Sequence, residues 1–172
     1  MILTTDRLML RPLELSDLDT THKYASDHAN TKYMVHLPNR DMQETASFLQ
    51  RVVNEWQKET PQFYEFAIIL DNRHIGAACV HLDESRQEGE LGWIIHKNYR
   101  GKGYATEAAK AVLDFAKDNL KVKKIIAHCD YRNEASVKVM QKIGLSFESG
   151  DGVRRNKNSD EDVQDFMYSR RL

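Results

Sequence analysis

The residues best suited to chemistry lie in one stretch, ELGWIIHKNYRGKGYATEA, at positions 90–108. The stretch begins with a carboxylate at Glu90, continues as an apolar segment and enters a short loop that contains two glycines, which let a backbone approach a ligand closely. The loop leads directly into a helical pattern, and the first turn of a helix presents unpaired N–H groups with partial positive charge. With the charges of Arg100 and Lys102, these features predict a site for phosphate or pyrophosphate.

Two common nucleotide-binding loops do not fit this stretch. A Walker A loop requires G-x-x-x-x-G-K-[ST], and that spacing is absent here. A dinucleotide fingerprint requires G-x-G-x-x-G, and although Gly101 and Gly103 match it, Thr106 occupies the third glycine position. A plain tight turn would account for the glycines but not for their basic neighbours. The anion that this loop binds is therefore predicted to belong to another class of ligand.

The pattern R-x-x-G-x-A, formed by Arg100, Gly103 and Ala105, resembles the acyl-CoA pyrophosphate loop of the GNAT superfamily of N-acetyltransferases. The resemblance extends over nearly the whole chain. TTDRLMLRPLELSD at 4–17 is similar to the opening of the branch that modifies ribosomal-protein N-termini, and NEASVKVMQKIGL at 133–145 is similar to the second cofactor-side helix of that branch. A lone R-x-x-G-x-A would be weak evidence, but the segments occur here in the family's order.

The resemblance implies how acetyl-CoA, the cosubstrate, would bind. In this superfamily the strand before the loop splays away from its neighbour and pairs with the pantetheine arm, as an added strand would. The pyrophosphate then lies on the loop amides. The residues that this implies for cofactor binding are Trp93, Ile94, Ile95, His96, Arg100, Gly101, Lys102, Gly103, Tyr104, Ala105, Thr106 and Asn133.

Direct acetyl transfer requires a general base, an oxyanion donor and an acid for the leaving sulfur. Glu90 stands where many relatives keep a catalytic carboxylate, and its alternative reading is a solvated charge at a strand end. Many relatives carry a tyrosine acid on the second helix, but this chain has Met140 there. Ser136, one turn earlier on the same face, is the next candidate, although it could instead pack or cap near Asn133. Tyr131 is a weaker third candidate.

The elements that must position these residues follow from hydrophobic periodicity and turn signals. Antiparallel strands come first and a βαβ crossover follows, which predicts one α/β domain over 1–172. The expected sheet is GNAT-like, mixed and mainly antiparallel, with a splayed parallel strand pair and helices on both faces. The predicted strands are 7–13, 63–70, 74–82, 89–96, 123–130, 145–149 and 163–171; the predicted helices are 16–27, 41–58, 104–119 and 133–143; 149–162 is predicted as a polar hairpin loop.

Composition narrows the possible partners and location. The formal net charge is −1, which provides no long-range field for nucleic acid or an anionic membrane. The start of the chain lacks an apolar signal segment, and no apolar run is long enough to span a bilayer, so we expect a cytoplasmic protein. Cys79 and Cys129 lie in strand-like runs and are expected to be reduced thiols. The seven histidines show no metal-ligand spacing, so no metal site is predicted.

The sequence thus predicts an acetyl-CoA-dependent N-acetyltransferase that moves an acetyl group directly to a primary amine. The acceptor is left open between a protein N-terminus, including a ribosomal one, and a small-molecule amine. The alternative is a CoA-binding regulatory module without transferase activity, which the absence of a tyrosine at Met140 would fit. A homodimer is a further expectation, because an exposed edge strand at 163–170 could pair across a two-fold axis.

Overall fold

The computed structural model describes residues 1–172 and contains a single sheet flanked by four helices. The strands are β1 (Leu3–Thr4), β2 (Met9–Pro12), β3 (Phe63–Leu70), β4 (Arg73–Leu82), β5 (Glu88–Ile95), β6 (Lys124–Asp130), β7 (Ser146–Arg155) and β8 (Asp162–Arg171), and the helices are α1 (Leu18–Ala25), α2 (Met42–Trp56), α3 (Tyr104–Asp118) and α4 (Glu134–Lys142). Each predicted strand and helix is present, with shifts mainly at its ends.

The strand order is β1-β2-β3-β4-β5-β6-β8-β7, and all neighbours are antiparallel except β5 and β6. This confirms the mixed, mainly antiparallel sheet with one parallel pair. The parallel pairing is short, because Glu88–Glu90 of β5 align with Lys124–Ile126 of β6 and no pairing continues beyond them. The two strands therefore diverge towards the carboxyl end of β5, which is where the basic loop begins.

The end of the chain differs from the prediction in two ways. Residues 149–155 belong to β7, so the polar hairpin loop is shorter than the predicted 149–162. Cross-strand pairing with β8, including the ion pair between Arg155 and Asp162 at 2.7 Å, holds this glycine-containing segment in the sheet despite its polar composition.

The predicted exposed edge strand at 163–170 is also wrong, because β8 lies between β6 and β7. Tyr168 of β8 is buried, as expected of an interior strand. β7 comes before β8 in the chain but lies at the edge of the sheet. β8 then pairs on one side with β6 and on the other with β7. The exposed edge on this side of the sheet is therefore β7, and it carries the exposed side chains of Phe147 and Val153.

Helices cover both faces of the sheet, as predicted. On one face α3 and α4 pack on the main core, in which Phe66, Ile68 and Ile125 are fully buried. On the other face α2 contributes Leu49 and Val52 to a smaller cluster against β3. Burial of a large apolar side chain stabilises the fold by about 1.5–3 kcal/mol. Because α3 itself buries Val112, Leu113 and Phe115, it is held firmly against the sheet. Its first turn is thereby fixed beside the end of β5.

None of the four helices has the length and apolar composition needed to cross a membrane. The two cysteines are unpaired, as predicted; Cys129 is buried and Cys79 is half-buried.

Candidate active site

A cleft of about 1030 Å³ opens where β5 and β6 diverge. Its walls are β5, the first turn of α3, the start of α4 and the segment between α1 and α2. The cleft brings together the predicted residues Glu90, Trp93, Ile94, Ile95, Arg100, Gly101, Gly103, Tyr104, Ala105, Thr106, Asn133 and Ser136. Among the predicted site residues, His96 and Lys102 lie outside its lining.

One wall of the cleft is an unpaired strand edge. β4 pairs with β5 as far as Ile95, but β6 pairs with β5 only up to Glu90. Backbone N–H and C=O groups of the remaining β5 residues that point towards β6 are therefore free for an extended ligand, apart from the Ile95 carbonyl, which accepts from Arg100 Nε at 3.1 Å. The N–H of His96 is not among them, because it donates to the Ile75 carbonyl at 2.8 Å.

The far end of the cleft is a candidate anion site built from backbone. Gly101 and Gly103 have φ of +76° and +82°, a left-handed conformation that favours glycine, and Gly103 caps α3. The backbone N–H groups of residues 101–106 donate to no acceptor in the protein. These groups lie at the positive end of the α3 dipole, so the loop suits a pyrophosphate.

The side chain of Arg100 does not add its charge to this anion site as a free group. Its guanidinium donates to the carbonyls of Ile95 at 3.1 Å and Asn30 at 2.8 Å. Burial lowers the pKa of Arg100 from its ordinary value, although the group remains charged at neutral pH. Arg100 therefore fastens the loop to β5 and to the segment between α1 and α2.

Other cations stand near the loop, and the sequence analysis did not select them. Lys138 and Lys142, one turn apart on α4, line the cleft. Arg7 donates to the Lys102 carbonyl at 3.0 Å and is paired with Glu107 at 2.6 Å. These contacts join the start of the chain to the first turn of α3.

Glu90 lies on β5 at the residue where pairing with β6 ends. Its side chain is exposed to the cleft and makes no hydrogen bond or ion pair with the protein. A free carboxylate at this position can accept a proton from an amine that enters from the α1–α2 side.

Ser136 lies in the first turn of α4 and also lines the cleft. Its backbone N–H donates to Asn133 Oδ1 at 3.2 Å, which caps the helix, while its hydroxyl makes no hydrogen bond with the protein. Met140 is fully buried, and Tyr131 is exposed outside the cleft lining. Ser136 is therefore the hydroxyl of α4 that is available for proton transfer.

The cleft also contains a histidine–carboxylate pair that the sequence analysis did not predict. His128 Nδ1 lies 2.6 Å from Asp165 Oδ2, and Arg154 Nη1 donates to Asp165 Oδ1 at 2.9 Å. All three side chains line the cleft, and Arg154 also donates to the Tyr33 carbonyl at 3.1 Å. The pair depends on the register between β6 and β8, in which His128 is opposite Met167, and no local pattern in the sequence encodes that register.

Comparison with known proteins adds to this geometry. Residues 7–146 match the family model described as an acetyltransferase (GNAT) domain. The uncharacterized N-acetyltransferase YnaD of Bacillus subtilis is 32% identical over 150 residues, covering 86% of this chain and 84% of YnaD. The spermidine N(1)-acetyltransferase of Escherichia coli is 26% identical over 140 residues, covering 81% of this chain and 73% of that enzyme.

Among solved structures, the fold is similar to that of RimL, a ribosomal L7/L12 alpha-N-protein acetyltransferase in complex with coenzyme A. The TM-score is 0.85 at 17% identity, and the match covers 100% of this chain and 98% of the other. This likeness supports the same sheet and helix arrangement.

Proposed function

This chain belongs to the GNAT acetyltransferase family and is an N-acetyltransferase, and we propose that it moves the acetyl group of acetyl-CoA directly to a primary amine. The observation that carries the proposal is the divergence of β5 from β6, which leads to the free N–H groups of residues 101–106. An extended thiol arm attached to a pyrophosphate has the shape and charge that these two features accept.

The cofactor contacts are assigned as follows. The free edge of β5, from Leu91 to Ile95 apart from the occupied Ile95 carbonyl, binds the pantetheine arm, and the loop amides bind the pyrophosphate. Lys138 and Lys142 supply positive charge from α4. Bound acetyl-CoA supplies an activated thioester, so the protein needs only to orient the reactants and to move protons.

The amine reaches the site as an ammonium and must lose a proton before it attacks the thioester carbonyl. Glu90 is the proposed acceptor of that proton. As the C–N bond forms, the nitrogen releases its second proton to solvent. As the C–S bond breaks, the hydroxyl of Ser136 donates a proton to the departing sulfur and is reprotonated from solvent. Glu90 then gives its proton to solvent, so that one proton is released in each turnover. Asn133 fixes the position of Ser136 by capping α4.

His128 is a second candidate for the base, because its 2.6 Å contact with Asp165 holds the imidazole in one orientation. The two candidates predict different results. If Glu90 is the base, Glu90→Gln lowers transfer far more than His128→Gln does. A larger loss of transfer in His128→Gln than in Glu90→Gln would assign proton removal to His128.

Two classes of acceptor fit a site that receives an ammonium on a free carboxylate. A peptide N-terminus follows from the resemblance to the branch that modifies ribosomal proteins. A polyamine is favoured by the sequence similarity to a spermidine acetyltransferase. Mass spectrometry of the products from N-terminal peptides, spermidine and spermine separates the two classes.

The test of the whole proposal is calorimetric titration with acetyl-CoA, free CoA, ATP and NAD, followed by the amine panel. We expect saturable binding of both CoA species, no binding of ATP or NAD, and acetylation of at least one amine. If neither acetyl-CoA nor free CoA bound, the assignment of the cleft as the CoA site would be overturned. Binding without acetylation of any amine would favour a regulatory module, for which the known relatives give no support.

The proposed location of the reaction is the cytoplasm, where the two unpaired thiols remain reduced.

The proposed homodimer would form through the exposed edge of β7 rather than through β8, since Phe147 and Val153 of β7 are exposed. Light scattering of the purified protein measures its oligomeric state.

A further inference from the structure

Three side chains with metal-binding chemistry meet on the face of the sheet that α2 covers. Glu65 of β3 is directly opposite Cys79 of β4, and His81 follows Cys79 by two residues and therefore points to the same face. The sequence analysis predicted no metal site, because the histidines show no metal-ligand spacing along the chain. The hairpin register brings the three together.

The distances suit a tetrahedral metal ion. The candidate donor atoms of Glu65, Cys79 and His81 all lie within 4.8 Å of one another. His81 Nε2 and Glu65 Oε1 are 3.5 Å apart. Around tetrahedral Zn²⁺, with bonds of about 2.0–2.3 Å, neighbouring donor atoms are about 3.3–3.7 Å apart. Small side-chain rotations therefore bring the three donors to bonding distance.

Burial and charge also favour a cation here. The Glu65 side chain is only 12% exposed, and its one ionic contact is with His81. A nearly buried carboxylate with no lysine or arginine partner is costly unless a positive charge compensates it. The His81 ring stacks on Phe63, with centroids 5.0 Å apart and planes 13° apart, which fixes the ring orientation.

A fourth donor is available from the proposed catalytic machinery. Glu90 is directly opposite His81 in the register of β4 and β5, and its carboxylate has no hydrogen-bond or ionic partner in the protein. Thiolate, imidazole and carboxylate together are a donor set that suits Zn²⁺ and not Mg²⁺ or Ca²⁺.

We propose that Glu65, Cys79 and His81 form a Zn²⁺ site that Glu90 completes, and that occupancy of this site inhibits acetyl transfer. On binding, the thiol of Cys79 releases its proton to solvent and the thiolate bonds to the metal. The inhibition rests on the proposed role of Glu90 as base, because a carboxylate bound to Zn²⁺ no longer accepts a proton from the amine. The metal site itself does not depend on that role.

Cobalt(II) is the probe for the metal site, since it substitutes for zinc and gives thiolate-to-metal charge-transfer absorption. Titration of the full-length protein under reducing conditions, without any amine, should reach one equivalent with such a band. Cys79→Ser should abolish the band, whereas Cys129→Ser, the matched control, should retain it. Absence of the band in the wild type, or its survival in Cys79→Ser, would overturn the site.

A second variant, His81→Gln, tests the metal site independently in case Cys79→Ser misfolds. The His81 side chain is 52% exposed, so His81→Gln should fold, as circular dichroism would verify. It should weaken metal binding by more than about 100-fold, since loss of an outer-sphere contact alone costs about 10–100-fold. Unchanged affinity in this variant would remove His81 from the site and overturn the proposed donor set.

Inhibition is measured separately, by mass spectrometry of the acetylated product after chelator treatment and then with added Zn²⁺. Zn²⁺ should inhibit the wild type at concentrations that leave His81→Gln active. Equal inhibition of both proteins would contradict regulation through this site. If the chelated enzyme acetylates no amine, the proposed function fails, while the cobalt titration still decides the metal site.

Discussion

At the scale of single residues, Glu90 is the clearest target. Glu90→Gln keeps the size of the side chain and removes its ability to take a proton. Because general-base catalysis contributes about 10²–10⁴-fold, kcat should fall by that amount. The affinity for CoA should not change, since the proposed pyrophosphate site consists of the free amides of residues 101–106 at the other end of the cleft. Steady-state kinetics and calorimetry give the two quantities.

Glu88 provides the control for this substitution. It lies two residues earlier on β5 and forms an ion pair with Lys124 at 3.3 Å, away from the cleft lining. Glu88→Gln should leave kcat within about twofold of the wild type, because half-exposed ion pairs contribute little. An equal fall in both variants, or no fall in Glu90→Gln, would exclude Glu90 as the base.

What the sequence predicted about the site depended on how local each signal was. Gly101 and Gly103 were found because their conformation and the helix start that follows are encoded in adjacent residues. The direction of the Arg100 side chain could not be predicted in this way, since its partner Asn30 comes from a distant segment. The pairing of His128 with Asp165 likewise depends on a strand register that no motif records.

At the scale of elements, the N-cap of α4 stabilises the helix and, under the proposed mechanism, also positions Ser136. Asn133→Ala removes the hydrogen bond from the Ser136 N–H, which should cost about 1 kcal/mol of the free energy of unfolding. Because Ser136 lies in that first turn, kcat should fall as well. Urea denaturation measures the stability, and kinetics at saturating acetyl-CoA measures kcat.

The matched control is the N-cap of α2, far from the proposed proton transfer. Asp41 accepts from the Glu44 N–H at 2.8 Å, so Asp41→Ala should cost a similar free energy without lowering kcat. If both variants lose kcat equally, the effect of Asn133→Ala reflects stability alone, and the positioning of Ser136 by its cap would be refuted.

Elements with strong periodicity were predicted well, and those fixed by tertiary pairing were not. The α3 prediction succeeded because its alanines, Val112 and Phe115 recur at helical spacing and face the core. The prediction ended β7 too early because the part of the strand after Ser149 contains two glycines and charged residues. Only pairing with β8, through contacts such as Arg154–Asp165, keeps that part in the sheet.

At the scale of the whole molecule, the element order and the family resemblance were sufficient to predict the mixed sheet. They were not sufficient to predict the order of its last two strands, because an antiparallel hairpin can add to a sheet by either of its strands. β8 occupies the inner position, where Tyr168 is buried. The edge, and therefore any surface for strand pairing between copies, is β7.

The last three strands and the segment between α1 and α2 are joined by Asp130, a fully buried carboxylate at the end of β6. It accepts hydrogen bonds from Arg132 Nη2 at 2.8 Å and from Asn156 Nδ2 at 2.6 Å. The guanidinium of Arg132 in turn lies 5.9 Å from the ring centroid of Tyr33. This network should therefore contribute to the stability of the entire fold.

The pH dependence of that contribution follows from the carboxylate. Burial alone would raise the pKa of Asp130, but the hydrogen bonds from Arg132 and Asn156 outweigh it and hold the pKa below its ordinary value. The unfolded chain then binds the proton more readily than the folded one. The stabilisation is complete above the unfolded pKa of about 3.9 and is lost as the pH falls through the lower folded value.

Asp130→Asn should accordingly lower the free energy of unfolding at pH 7 by about 1.5–3 kcal/mol, the contribution of hydrogen bonds to a charged group. The difference from the wild type should shrink from about pH 4 downward, as the wild type itself becomes protonated. Asp114→Asn is the control, because its ion pair with Lys110 is exposed and should contribute less than about 1 kcal/mol at any pH. Urea denaturation at a series of pH values tests this, and a constant difference between pH 7 and pH 3 would show that the charge of Asp130 does not stabilise the fold.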